Sequence, residues 1–192
     1  SPSIIKRRIK MKDVYLHNIL TKQYLTEDRL YEALKEIFKV DFIRDKQVPG
    51  SGINERPDFR NDMLKLIVEF NGDNHYSNNK IQKSDNEKFV KYTEMGYKVV
   101  AIPYFVQLSS DIIKLLFDID IEWLQQYPHG FIDEKVMLPV DYNYYGVYKF
   151  RNNLVKFKII KDDIIQSLES KIELLGADNV LPYQSRVPDF YT

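Results

Sequence analysis

The stretch RPDFRNDMLKLIVEFNGDNHY, residues 56–76, holds the side chains best suited to chemistry. Asp58 follows a proline, Glu69 closes the apolar run Leu66-Ile67-Val68, and His75 stands six residues later, beyond Gly72. Asp85 comes ten residues after His75. Carboxylates at the ends of neighbouring strands can face a cleft without being buried unpaired. Two of them, with a backbone carbonyl and waters, make the oxygen set that Mg²⁺ accepts. A histidine oriented by a carboxylate can give or take a proton beside such a site. Each feature also has an ordinary reading: Pro-Asp marks turns, a Glu after an apolar strand makes a solvated end, and loop histidines are commonly just exposed. His17 and His129 have only such ordinary settings, a helix face and a turn.

Those side chains need elements to hold them. Residues 56–60 and 64–70 read as two strands joined by a turn at Asn61-Asp62, the second rich in Ile, Val and Leu. In that pairing Asp58 would lie opposite residues 64–66, and a twist or bulge would have to bring Glu69 towards it. Before the hairpin, Thr26 is a good N-cap, Glu27 and Asp28 are acids of a first turn, and Leu30, Ala33, Leu34 and Ile37 make a helical stripe. After it, residues 81–95 read as a helix with Phe89, Tyr92 and Met95 apolar and Lys83, Lys88 and Lys91 polar, stopped by Gly96. Residues 98–102 make a third strand. The order helix–strand–strand–helix–strand predicts an α/β core. Outside it, helices are expected at residues 11–20, 121–126 and 161–175, and over residues 112–117 after a cap at Ser109-Ser110-Asp111, with a turn-rich, aromatic region at 128–146.

Composition narrows the classes. The 192 residues, 44% hydrophobic and 29% charged, are those of a globular chain of one domain with at most a small appendage. There is no cysteine, hence no disulfide framework, thiolate zinc site or cysteine nucleophile. No stretch has the length of apolar sequence a membrane helix requires, so an intracellular chain with no membrane partner is expected. Twenty-eight basic residues balance 28 acidic ones, but residues 1–50 carry a net +4 and residues 101–150 a net −4. The basic quarter includes Lys6, Arg7, Arg8, Lys10 and Lys12, a cluster able to meet phosphates or simply to be a solvated tail. Fourteen tyrosines among many Asn, Ile and Lys fit an AT-rich coding sequence as well as a stacking role.

The ordered set Arg56-Pro57-Asp58-Phe59, Leu66-Ile67-Val68-Glu69-Phe70-Asn71-Gly72, His75, Asp85 and Gly96-Tyr97-Lys98-Val99-Val100 resembles PD-(D/E)XK endonucleases. Within them it is most similar to the very-short-patch-repair-like branch and its EDxHD homing endonucleases. Glu27 fits that pattern's helical glutamate, with Leu30, Tyr31 and Leu34 at the accompanying apolar positions. The resemblance covers residues 26–106, between a basic segment 1–25 and a helical, aromatic-rich extension 107–192. It implies a PD-(D/E)XK core, a mixed central sheet flanked by helices, and Glu27, Asp58, Glu69, His75 and Asp85 as catalytic residues. Asp58 and Glu69 would hold Mg²⁺, or Mn²⁺ in its place. The pattern's usual strand lysine is missing, since Asn71 stands there; the branch manages without it because the histidine takes over part of the acid–base work.

The expected activity is therefore metal-dependent hydrolysis of DNA phosphodiesters, in homing, restriction or repair-type nicking, leaving a 5′-phosphate and a 3′-hydroxyl. Double-stranded DNA would be held through Lys6, Arg7, Arg8, Lys10, Lys80 and Lys83. A homodimer, a cytoplasmic or nucleoid setting and a mobile-element or viral origin are compatible with this. The rival from another class is a non-catalytic DNA-binding or assembly module on the same fold, which the neutral charge and missing lysine favour. A small-phosphoester hydrolase ranks lower, for want of a Gly-rich phosphate loop.

Overall fold

The computed structural model describes residues 25–123 and 137–183. The described residues divide into two compact units, Thr26–Tyr104 and a second that holds residues 105–123 and 137–183. The first is an α/β unit with a four-stranded mixed sheet.

Helix α1 (Glu27–Phe38) forms as its pattern predicts: Thr26 Oγ1 accepts from the Arg29 N–H at 3.3 Å, and Leu30, Ala33, Leu34 and Ile37 are all buried. Strands β1 (Ile43–Arg44), β2 (Phe59–Asn61), β3 (Leu66–Asn71) and β4 (Lys98–Pro103) lie in that order across the sheet. The first two pairings are antiparallel and β3–β4 is parallel. A parallel pair needs a crossover, which α2 (Asn74–Ser77) and α3 (Asn79–Glu94) provide. The short edge strand β1 carries no two-residue alternation long enough to announce it, and the sequence reading did not include it.

The hairpin register differs from expectation, and the difference matters. Asn61 is the last residue of β2, paired with Leu66, rather than the corner of the turn. Its side chain accepts from the Leu64 N–H at 2.9 Å, and Lys65 adopts a left-handed φ of 50°, so the turn spans residues 62–65. Phe59 thus pairs with Val68, and one step further the same register sets Asp58 opposite Glu69 with no bulge.

Side chains on β3 alternate, so Ile67, Glu69 and Asn71 share one face and Leu66, Val68 and Phe70 the other. The first face carries α3, through a buried cluster of Ile67, Tyr92, Tyr97 and Val48. The other carries α1, whose Tyr31 stacks on Phe59 with ring centroids 6.0 Å apart. Helix α3 ends in a Schellman motif: the Tyr97 N–H reaches the Tyr92 carbonyl and the Gly96 N–H that of Thr93, both at 3.0 Å. Gly96 takes the positive φ of 89° this requires.

In the second unit Ser109 caps α4 (Ser110–Phe117), as its sequence predicts. Asn143 caps α5 (Tyr144–Lys156), its Oδ1 accepting from Gly146 at 2.7 Å. Helix α6 (Lys161–Leu175) stops before Gly176. Phe105 and Phe150, both fully buried, meet edge to face at 5.0 Å. Helix α5 was not foreseen, because aromatic residues at its start read as a turn-rich stretch. Residues 121–123 are not helical, contrary to the helix expected from 121, and the helix expected over 11–20 lies outside the described residues. No helix among the described residues is long and apolar enough to cross a membrane.

Candidate active site

The register of β2 against β3 brings the first two acidic residues together. Asp58 and Glu69 clip the ends of their strands reciprocally. The Asp58 N–H donates to Glu69 Oε2 at 3.1 Å, and the Phe70 N–H donates to Asp58 Oδ2 at 2.7 Å. Both lie near the carboxyl end of the parallel pair β3–β4, where open α/β sheets form their crevices.

His75 sits in α2, not in an irregular loop, because Asp73 caps that helix by accepting from the Asn74 N–H at 3.0 Å. Its carbonyl accepts from Gln82 Nε2 of α3 at 3.3 Å, which ties α2 to the longer helix. The ring meets Asp85: Nδ1 and Oδ2 are 2.6 Å apart. That contact engages Nδ1 and holds the ring beside Asp85.

The link between the two halves is a residue the sequence reading passed over. Lys88 Nζ stands 3.0 Å from Glu69 Oε1 and 4.0 Å from Asp85 Oδ1, with only 12% of its side chain exposed. A continuous chain therefore runs His75–Asp85–Lys88–Glu69–Asp58. The sequence pattern puts Lys88 on the solvated face of the helix and Phe89 on the buried one. The structure reverses this, with Phe89 52% exposed. The signal was Tyr92: on a helix with that ring inward, the residues four and seven positions earlier, Lys88 and Asp85, share its face.

Electrostatically the group is under tension. Burial, reinforced by the neighbouring Asp58 carboxylate, pushes the Glu69 carboxyl up to about 8 against the pull of Lys88. At Lys88 burial works downward, but Glu69, Asp58 and Asp85 outweigh it and its pKa is raised. The ammonium therefore stays charged. Glu69 Oε1 is buried and has the ion pair with Lys88 but accepts no well-aligned hydrogen bond.

That under-satisfied oxygen, next to a second carboxylate, fits a hard divalent cation that keeps several of its waters. Asp58 and Glu69 would be its protein ligands. Among the described residues no group of three His, Asp or Glu converges as a ready cage, so water would complete the shell.

Glu27 has Arg44 as its ion-pair partner. It starts α1, on the Phe59 face of the sheet, and pairs at 3.4 Å with Arg44, which also holds Asp28 at 2.8 Å. The reason is local: Arg44 pairs with Phe59 in the β1–β2 ladder and lies over the Phe59 and Tyr31 rings, so its guanidinium reaches the helix start. Lys80 and Lys83 are exposed on α3, Lys83 within 4.0 Å of Glu87. Lys6, Arg7, Arg8 and Lys10 lie outside the described residues, as does His129. The chain matches no protein-family model, no curated protein and no solved structure.

Proposed function

We propose that the protein is a metal-dependent DNA endonuclease built on a PD-(D/E)XK core, most similar to the very-short-patch-repair-like and EDxHD branch. The observation that carries this reading is the join across the hairpin: Asp58 and Glu69, eleven residues apart, clip each other's strand ends, while a His75–Asp85 pair is chained to them through Lys88. A half-buried His–Asp pair beside a buried carboxylate at the open end of a sheet is costly unless it is used.

In this reading Asp58 and Glu69 hold Mg²⁺, which when bound supplies charge for a phosphate oxygen and acidifies water. Asp85 fixes the imidazole tautomer, and His75 Nε2 takes a proton from the attacking water or gives one to the leaving oxygen. Lys88 contributes a retained positive charge to a group that otherwise holds three carboxyls. The strand position of that pattern carries Asn71, and Lys88 brings a lysine to the group from α3 instead. Lys80 and Lys83, exposed on the same helix, are suited to sequence-independent phosphate contacts.

The rival, a non-catalytic DNA-binding or assembly module, draws support from the Lys88 ammonium, which already stands 3.0 Å from Glu69 Oε1 without any metal. Supercoiled plasmid incubated with protein in Mg²⁺ or Mn²⁺ separates the two. Conversion to nicked or linear DNA that stops with chelator and is absent in Asp58→Asn supports the enzyme. Binding without conversion in either metal supports the module.

A further inference from the structure

The second unit contains one run of the chain with a strongly basic composition. From Tyr142 to Lys161 there are five Lys or Arg and no Asp or Glu. Helix α5 occupies most of that run and exposes large aromatic rings, Tyr144 at 88%, Tyr148 at 59% and Tyr145 at 50%. Tyr144, Tyr148 and Arg151 stand at positions i, i+4 and i+7 and so share a helix face. They line a cleft of about 200 Å³ with Tyr142, Val147 and Pro182. Its floor is firm: Tyr142 packs edge to face on Phe150 at 5.9 Å, and Phe150 and Leu154 are buried beneath the helix.

A fold gains nothing from leaving tyrosines this open on a capped, well-anchored helix. Tyrosine offers a flat face at little cost in side-chain entropy, and a guanidinium beside it can stack or pair with phosphate. Aromatic shelves in a basic setting are how proteins hold unstacked bases, because every base has a π-face and every nucleotide a phosphate. We propose that the Tyr144–Tyr148–Arg151 cleft binds a DNA strand, stacking an unpaired base on the tyrosines and receiving the adjacent phosphate at Arg151. This rests on the nuclease reading only for the choice of DNA as the polynucleotide. It adds a strand-holding site in the unit to which that reading gives no role.

Binding of a fluorescein-labelled oligothymidylate to the full chain, measured by anisotropy in chelator, tests it without catalysis. Tyr148→Ala should weaken binding roughly 5- to 100-fold and Tyr148→Phe should restore it, since the phenyl face stacks as well. Arg151→Gln should weaken binding and lower the slope of log affinity against log salt by about 0.7, one phosphate's worth. The exposed positions keep folding intact, which unchanged circular dichroism verifies. No binding by the wild type, or Tyr148→Ala binding as well as wild type, overturns the proposal, even if the protein cleaves plasmid. Tyr148-dependent binding by a chain that never cleaves would uphold this site and sink the nuclease reading instead.

Discussion

Replacing Glu69 with glutamine should alter the stability of the sheet-bearing unit in a way that depends on pH. Burial holds the Glu69 carboxyl at about 8 instead of its ordinary 4.5, with Asp58 adding to the effect and Lys88 opposing it. The folded protein therefore binds this proton more tightly than the unfolded chain does. The stability associated with it is fully present below pH 4.5 and is lost as pH rises through 8. At ~1.36 kcal/mol per pH unit, the interval amounts to about 5 kcal/mol in all, of which roughly 3 kcal/mol has gone by pH 7. Glutamine stays neutral throughout and escapes that loss. In chelator, urea unfolding of wild type and Glu69→Gln at pH 5, 6, 7, 8 and 9 measures the difference by linear extrapolation. Hydrogen exchange at the β3 amides identifies the transition belonging to this unit. The variant should gain on wild type steadily from pH 5 to 8, then level off. A difference that stays constant, or that moves towards wild type with rising pH, would refute the account of Glu69 as a buried acid held mainly neutral.

Removing the opposing charge with Lys88→Met should carry the Glu69 transition above pH 8, visible in the same titration, and lower plasmid cleavage by about 10–100-fold; unchanged cleavage would make Lys88 purely structural. His75→Ala should lower the cleavage rate by roughly 10²–10⁴-fold while leaving the Mg²⁺ requirement unchanged, because it removes proton transfer and not a ligand. Asp85→Asn should give a milder version of that loss. Mg²⁺ binding at pH 7 should release close to one proton, since Glu69 must ionise to serve as ligand; calorimetry in two buffers of different ionisation enthalpy reads this directly. Leu34→Ala, at a fully buried position of α1, should destabilise the first unit by about 2–5 kcal/mol in urea unfolding, without altering the pH dependence of Glu69.

The sequence alone determined the elements whose signals are local. Thr26 and Ser109 are caps that work through bonds to amides three residues on, and Leu30, Ala33, Leu34 and Ile37 bury one face because their spacing is that of the helix itself. Gly96 and Gly176 mark helix ends through backbone freedom, and Asp58, Glu69, His75 and Asp85 were legible as residue types at suggestive intervals. Tertiary structure decided what no local rule encodes. Asn61 donates its side-chain amide to the Asp41 carbonyl, twenty residues away, and ends β2 in the register that puts Asp58 opposite Glu69. Tyr92, locked under the sheet, set the rotation of α3 and turned Lys88 inward, although hydrophobic periodicity alone gives a lysine to solvent. Arg44, on an edge strand too short to announce itself, supplies Glu27 with its ion pair. In each case one long-range contact, between residues far apart in the chain, outweighed the preference of the segment that carries them.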